Sequence, residues 1–194
     1  MKSKDRIILE AFKLFCTKPY DQVTFSDLEK TTRLSRGAIL YHFSSKEKIF
    51  YEVIDKFVLA EHAIKTIDKK NRDTLHKFII SFVEKVEYEK KTMNELGLNN
   101  INLALLNIET SAYTFYPEMQ KVAKKWFDEE FSVWEEVVGN AISTKEIRNI
   151  DKHTVARLLE KIYFGGSFLS IPLKNGIEPD ELKKDLLFIY QLLK

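Results

Sequence analysis

Residues 24–50, TFSDLEKTTRLSRGAILYHFSSKEKIF, decide the fold of this chain. Three helix-start signals follow one another in this stretch, at Thr24-x-x-Asp27, at Ser35 and at the capping box Ser44-x-x-Glu47. Because the starts lie so close together, each of the first two helices has room for only about two turns, the second running from Arg36 to Phe43. Two short helices joined by a tight turn are typical of a helix-turn-helix, whose second helix can enter the major groove of DNA.

The second short helix has one apolar face and one face suited to a polar partner. At about 100° per residue, Ile39 and Phe43 stack on one side of the helix, where they can join a core. The other side carries two small residues, hydrogen-bond donors and one leucine, in the set Arg36, Gly37, Ala38, Leu40, Tyr41 and His42, with Lys46 at the start of the next helix. Such donors suit phosphate oxygens. On spacing alone, a small helical hairpin with a polar outer face fits equally well.

The stretch SRGAILYHF at residues 35–43, followed by Lys46-Glu47, resembles the signature of the TetR family of bacterial transcriptional regulators. Thr24 and Leu28 also fall where that family has its threonine and its buried aliphatic residue. The resemblance covers about a quarter of the chain. It implies a helix-turn-helix that reads the major groove, with these DNA-binding residues: Thr24, Ser35, Arg36, Gly37, Ala38, Leu40, Tyr41, His42 and Lys46.

Two positions depart from the family pattern. Arg33 stands in the turn where the family usually has glycine, so a positive φ there would strain the backbone by about 1 kcal/mol or more. Leu40 stands where many relatives have tyrosine, and Tyr41, the next residue, is expected to supply the missing hydroxyl.

Composition favours a globular intracellular protein. The 194 residues are 44% hydrophobic and 31% charged, and the N-terminus lacks the apolar stretch of a signal peptide. No apolar run long enough to span a membrane occurs, and the single cysteine, Cys16, fits a reducing cytoplasm. Residues 1–50 hold ten Lys/Arg against six Asp/Glu, so the net positive charge coincides with the helix-turn-helix. We expect a DNA-binding domain at 1–50, a helical ligand-binding and dimerisation domain at 51–194, and a cytoplasmic, nucleoid-associated location.

The remaining hydrophobic periodicity predicts an all-α fold. Helical spacing favours helices over 3–17, over 46–65 without an intervening linker, over 73–93, and in a shorter segment from 101 to 108. An aromatic loop at 113–116 is expected to lead to a helix from 117 to about 139. The last two helices are expected after Asp151, ending at Pro172, and from Pro179 onward. No strand pattern is apparent.

Aromatic side chains in the middle of the chain are core residues on the simplest interpretation. As a set they can also enclose an apolar cavity with a few polar groups at its rim. In the family that the chain resembles, this region binds a small-molecule inducer. The predicted ligand-binding residues are Phe57, His62, Phe78, Phe82, Asn102, Tyr113, Trp126, Phe127 and Phe131, of which Phe57, Trp126 and Phe131 are expected to share a cavity.

Residues 151–193 form an apolar helical hairpin with little cover available elsewhere in the chain. Pairing with a second copy would bury this surface in a four-helix bundle, as it does in the family. The alternative is that both helices close the core of a monomer. The predicted dimer interface is Leu158, Leu159, Ile162, Gly166, Phe168, Leu186 and Tyr190.

The residue pattern does not support a catalytic function. The histidines are scattered, and neither a metal-ligand spacing, a phosphate-binding glycine loop nor a nucleophile motif is present. We therefore expect a homodimeric transcriptional regulator, neither an enzyme nor dependent on a cofactor, that acts as a repressor. A small apolar or amphipathic inducer would release it from a near-palindromic operator. Two alternatives remain open: an architectural, nucleoid-associated DNA-binding protein without an inducer, and a helical ligand-binding module.

Overall fold

The structure, a computed structural model, describes residues 2–59 and 63–194. Within these ranges the chain forms α-helices, short 3₁₀ and π segments and turns, with no β-strand. The α-helices are α1 (Ser3–Thr17), α2 (Phe25–Thr32), α3 (Arg36–His42), α4 (Lys46–Val53), α5 (Leu75–Glu95), α6 (Ile101–Phe115), α7 (Met119–Ser143), α8 (Lys152–Leu169) and α9 (Pro179–Leu193). The predicted all-α class is confirmed, and α1 has the predicted limits.

The described residues form two compact units. The first unit contains residues up to 59 together with 103–123, and the second contains 63–102 together with 124–194. Helices α6 and α7 therefore contribute residues to both units. The boundary expected near residue 50 stays a prediction.

The first unit is built on α1, which packs against α2 and α4. Its inward side chains, among them Ile7, Ala11 and Phe15, are fully buried. The Phe15 ring meets the Phe50 ring edge-on, with centroids 5.0 Å apart. This apolar contact between α1 and α4 supports the two short helices between them.

Helix α4 differs from the prediction at both ends. Ser45, rather than Ser44, is its N-cap, and the Ser45 side chain accepts a hydrogen bond from the Lys48 backbone N–H. The α-helix ends at Val53 and is followed by a π segment, Ile54–Val58, in which the Leu59 N–H bonds to the Ile54 carbonyl. Since Ala63–Thr66 is a 3₁₀ turn, one continuous α-helix over 46–65 is wrong.

The second unit has an aromatic core. Helix α5 packs against α9, and α8 packs against α9. The fully buried Trp134 ring meets the rings of Phe78 and Phe82 edge-on, with centroid separations of 4.9 and 5.1 Å. Edge-to-face contacts of this kind add to the hydrophobic stabilisation of the core.

Helices α6 and α7 are longer than the residue pattern predicted. Helix α6 continues to Phe115, through residues 113–115 of the predicted loop. Helix α7 passes Gly139 and ends at Ser143, and within it the Asn140 side chain donates to the Arg72 carbonyl at 3.3 Å. This tertiary hydrogen bond gives asparagine a partner inside a helix, where it is otherwise disfavoured.

The turn between α8 and α9 requires glycine at position 176. Gly176 has φ of 66°, and a Cβ added there would lie 2.7 Å from Asn102 Oδ1. That oxygen accepts a hydrogen bond of 2.7 Å from the Ile177 backbone N–H. Both the positive φ and the close amide therefore exclude a larger residue.

Candidate DNA-binding surface and ligand region

A complete capping box holds the start of α2. The Thr24 hydroxyl accepts from the Asp27 N–H, and the Asp27 carboxylate accepts from the Thr24 N–H at 2.9 Å and from its hydroxyl at 2.8 Å. These hydrogen bonds from Thr24, with a further one from Lys18, lower the pKa of Asp27 to about 2. Thr24 is exposed, but its hydroxyl is already engaged in capping.

The turn between α2 and α3 has the left-handed geometry that the family glycine would adopt. Arg33 has φ of 54° and ψ of 34°. The buried Thr32 hydroxyl donates to the Leu28 carbonyl at 2.6 Å and accepts from the Leu34 N–H at 3.3 Å. These bonds hold the turn while Arg33 carries the strain.

Helix α3 is fixed by contacts from α2. The Ser35 hydroxyl caps it by accepting from the Ala38 N–H. Glu29 accepts from the Arg36 backbone N–H at 2.7 Å, and the Arg36 guanidinium lies over the Phe25 ring, 4.9 Å from its centroid. The Glu29 hydrogen bond and the Arg36–Phe25 contact were not predicted, since contacts across the turn cannot be identified from a helical wheel.

The outer side of α3 is open to solvent. Ile39 is fully buried beneath the helix, whereas Tyr41 is 86% exposed and Leu40 39% exposed. Arg36, Gly37 and His42 are exposed as well. These five exposed residues, the exposed α3 face, project donors and one apolar side chain outward on a helix of seven residues.

Lys46, the first residue of α4, is partly buried. Its ammonium donates to the carbonyl oxygens of Tyr20 and Val23, both at 2.8 Å, and lies 4.2 Å from the centroid of the Tyr20 ring. Burial lowers its pKa. With two of three N–H donors used inside the chain, one is left for a phosphate.

Helix α6 is bonded to the helix-turn-helix within the first unit. Asn107 donates to the Cys16 carbonyl at 3.0 Å, and the Ser111 hydroxyl accepts from the Tyr20 N–H at 3.2 Å. Just past the helix, the Tyr116 hydroxyl donates to Asp55 at 2.6 Å. These side-chain contacts between residues far apart in sequence were not predicted.

Burial changes the acid–base properties of Cys16 on α1 and Glu109 on α6. It raises the pKa of the Cys16 thiol to about 12, with a smaller contribution from Glu109, so the thiol is unreactive at neutral pH. Burial also raises the pKa of Glu109 to about 7.

The predicted ligand-binding residues are distributed over both units. Phe57 stacks on Phe12 at 4.2 Å in the first unit, and Tyr113 is half exposed there. In the second unit, Phe131 lies edge-on to His153, with centroids 4.9 Å apart. A cavity shared by Phe57, Trp126 and Phe131 stays a prediction, and His62 lies outside the described residues.

The other predicted ligand-binding residues have packing partners. Phe78 and Phe82 are buried against Trp134. Trp126 and Phe127 contact each other edge-on at 5.3 Å. Asn102 accepts from Ile177, as described above, so its carbonyl oxygen serves the turn before α9.

The α8–α9 hairpin exposes part of the predicted interface and buries the rest. Leu158 and Phe168 are 51% and 68% exposed, whereas Ile162 and Gly166 are half-buried. Leu159, Leu186 and Tyr190 are buried within the chain, because they face the core that α8 and α9 share with α5. Three exposed apolar residues were missed: Leu169, Phe188 and Leu192.

Neither a metal site nor a membrane span is found in the part of the chain that the structure describes. Across residues 2–59 and 63–194, no three His, Cys, Asp or Glu side chains are grouped so as to hold a metal ion. No helix in the same ranges is both long enough and apolar enough to cross a membrane.

Comparison with known proteins agrees with this geometry. Residues 7–53 match the family model described as bacterial regulatory proteins, tetR family. The biofilm operon icaADBC HTH-type negative transcriptional regulator IcaR of Staphylococcus epidermidis is 30% identical over 91 residues, which are 43% of this chain and 47% of IcaR. IcaR of Staphylococcus aureus is 31% identical over 88 residues, with the same coverage. The chain thus spans about half the length of the curated relatives it matches.

Solved structures share the fold over nearly the whole chain. A transcriptional regulator from Saccharomonospora viridis in complex with choline aligns with a TM-score of 0.67 and 18% identity, covering 97% of this chain and 95% of that one. A tetR-family regulatory protein from Rhodococcus RHA1 aligns with a TM-score of 0.69 and 16% identity, covering 100% and 97%. Together with the order of the helices and the capped helix-turn-helix, these findings show that residues 7–53 form a domain of the tetR family of bacterial regulatory proteins, and that the chain shares the fold of these solved structures.

Proposed function

We propose that this protein is a sequence-specific DNA-binding transcriptional regulator that represses the genes next to its operator. The observation that carries the proposal is the exposed α3 face, held by the Ser35 cap and the Glu29 bond at the start of a short helix. A helix of this length, exposed on one side and anchored by Ile39 on the other, suits insertion into a major groove. Residues 1–50, with their excess of basic side chains, form the proposed DNA-binding domain.

Repression is the direction of regulation that the relatives support. IcaR is described as a negative transcriptional regulator of a biofilm operon. Its similarity to this chain extends over 91 residues, more than the 47 residues of the matched family domain. We infer that this chain represses transcription as well. The inference does not extend to particular target genes.

The proposed assembly is a homodimer built on α8 and α9. Phe168, Leu169 and Phe188 are each more than 60% exposed, an unusual density of large apolar surface on one hairpin. Gly165 and Gly166 lie within α8, and a Cβ added at either would have, apart from its chain neighbours and the nearby backbone of α8, no atom of the described residues within 4 Å. A second copy could approach the backbone closely there. Two α3 helices related by a two-fold axis would bind a near-palindromic operator.

Ligand control is proposed to reach the DNA-binding domain through α6. Asn107 donates to the Cys16 carbonyl near the end of α1, Ser111 accepts from the Tyr20 N–H, and Tyr116, just past α6, donates to Asp55, just past α4. A ligand that shifts α6 would therefore shift the supports of α3. The Saccharomonospora viridis regulator holds choline, which supports a small-molecule effector for this chain as well. A coupling of about 1–3 kcal/mol would weaken operator binding roughly 5–150-fold.

Two other functions make different predictions. An architectural DNA-binding protein would bind DNA without sequence preference, and a helical ligand-binding module would not bind DNA. The exposed α3 face favours the regulator over the module, and the similarity to IcaR favours it over the architectural protein. A cytoplasmic location is part of this proposal.

The test is selection of bound fragments from the host genome with purified full-length protein. One recurring near-palindromic site is expected, and a reporter gene placed behind that site should be expressed less when the protein is present. Fragments without a common site would support the architectural protein, and no recovered fragments would support the ligand-binding module.

A further inference from the structure

One side of α2 makes two contacts with the first residue of α3. Phe25 and Glu29 lie about one turn apart on the same side of α2, and both contact Arg36. The Glu29 carboxylate accepts a hydrogen bond of 2.7 Å from the Arg36 backbone N–H, and the Arg36 guanidinium carbon lies 4.9 Å from the centroid of the Phe25 ring. The first contact holds the backbone of Arg36, and the second holds its side chain.

Phe25 has a fixed position because of the cap at the start of α2. It is the first residue of that helix and directly follows Thr24, whose hydrogen bonds with Asp27 complete the capping box. The Phe25 side chain is half-buried, so packing on one side restrains the ring. The guanidinium of Arg36 therefore lies against a ring whose place is set by the protein.

The contact with Phe25 leaves the hydrogen-bond donors of Arg36 available. A guanidinium carries five N–H donors in a planar fork, and a cation–π contact uses none of them. Across residues 2–59 and 63–194, the guanidinium forms neither a hydrogen bond nor an ion pair, and Arg36 is exposed. Because the ring already restricts the rotamers of this long side chain, less freedom is lost when the donors bind a target.

The position of Arg36 favours a base over a phosphate as that target. In a helix-turn-helix, residues at the start of the second helix contact base edges in the major groove. Gly37 follows Arg36 directly. Apart from chain neighbours and the nearby backbone of α3, the nearest atom to a Cβ added at Gly37 would be Ser35 Oγ, at 4.0 Å. The space beside Arg36 is thus open to a closely approaching DNA strand.

We propose that Arg36 reads a guanine in each operator half-site and that Phe25 is the positioning residue that holds the guanidinium for this contact. Guanine presents two acceptors in the major groove, O6 and N7, which an arginine fork binds together. No other base presents two acceptors there. The inference rests on the proposed function, because it names the base that the exposed α3 face recognises.

The first experiment replaces the guanines of a selected operator with 7-deazaguanine, one position at a time and in both half-sites. The analogue pairs with cytosine but lacks the N7 acceptor. At one position the replacement should weaken binding by the full-length wild type about tenfold. The same replacement should change the affinity of Arg36→Ala by less than about twofold, because the partner of N7 is then missing. The absence of a sensitive guanine, or equal sensitivity in Arg36→Ala, would overturn the proposal.

The second experiment tests the ring of Phe25. Phe25→Leu keeps an apolar side chain but lacks the ring, so the loss caused by 7-deazaguanine should fall to about threefold or less. Phe25→Tyr keeps the ring and should retain the loss of about tenfold. Tyr51→Leu is the matched control and should also retain it. Tyr51 is another half-buried ring of the first unit, with the Lys48 ammonium 5.6 Å from its centroid.

A merely structural role of Phe25 would give a different result. Phe25→Leu would then bind every DNA fragment more weakly and keep the full sensitivity to 7-deazaguanine, which would overturn the positioning role. The comparison of the wild type with Arg36→Ala does not depend on how Phe25→Leu folds. The proposed function is tested separately by the preference of the wild type for a selected over a scrambled fragment. If that preference holds while 7-deazaguanine has no effect at any position, only the inference about Arg36 and Phe25 fails.

Discussion

The ammonium of Lys46 donates a hydrogen bond of 2.8 Å to the carbonyl oxygen of Tyr20 and so ties the start of α4 to the turn after α1. A second bond of the same length reaches Val23, immediately before the Thr24 cap. Lys46 thereby satisfies two backbone carbonyls beneath the helix-turn-helix. This structural role accompanies the phosphate contact that its position in the motif predicts.

Lys46→Ala should therefore destabilise the fold as well as weaken DNA binding. Losing two hydrogen bonds from a partly buried charged donor should reduce the free energy of unfolding by about 2 kcal/mol. Urea denaturation of the full-length protein measures this loss. Lys48→Ala, at an exposed position on the same helix, is the control and should change stability by less than about 0.5 kcal/mol. Equal stability of the two variants would show that the Lys46 bonds contribute little.

Arg33→Gly should stabilise the protein. Arg33 has φ of 54°, and glycine adopts that conformation without the steric cost. The free energy of unfolding should therefore rise by about 1 kcal/mol. Urea denaturation checks this change. In the same experiment Lys30→Gly, inside α2, should lower the free energy of unfolding by about 1 kcal/mol. A lower free energy of unfolding for Arg33→Gly would mean that contacts of the arginine side chain stabilise the protein by more than the backbone strain destabilises it.

A charge on the exposed side of α8 should separate the proposed dimer. Phe168→Asp is expected to give a monomer by light scattering, because an aspartate in a two-fold apolar contact faces its own copy. Tyr88→Asp is a fair control, since Tyr88 on α5 is 66% exposed and Phe168 is 68% exposed. Dimers that persist in Phe168→Asp and dissociate in Tyr88→Asp would place the interface on α5 instead.

The stability of the protein should fall as the pH rises from about 5 to about 8. The pKa of Glu130 in the folded chain is about 8 and that of Glu109 about 7, both above the ordinary value of 4.5. In this window the folded state binds more protons than the unfolded state, so raising the pH favours unfolding. Glu130→Gln removes one of these protons and should flatten the dependence. A melting temperature with the same pH slope in the wild type and Glu130→Gln would contradict the assigned pKa.

The sequence predicted best what local chemistry determines. The Thr24 and Ser35 caps and the limits of α1 follow from hydroxyl groups and apolar spacing over a few residues. Adjacent Ser44 and Ser45 can both cap, and only the tertiary position of α4 decides between them. The apolar stripe that predicted one helix over 46–65 does not reveal a π segment, because the same residues remain inward when the hydrogen-bond pattern widens.

Sequence periodicity could not separate two kinds of apolar face. Leu159 and Phe168 belong to the same hydrophobic hairpin, yet one is buried in the chain and the other is exposed.

Operator specificity tests the proposed regulator most directly. Fluorescence anisotropy at one fixed salt concentration would compare a selected near-palindromic fragment with a scrambled fragment of the same composition. The wild type should bind the selected fragment at least about a thousandfold more tightly, and Arg36→Ala should reduce that ratio by about tenfold or more, because Arg36 lies on the exposed α3 face. Equal affinity of the wild type for both fragments would contradict a sequence-specific regulator and favour an architectural DNA-binding protein.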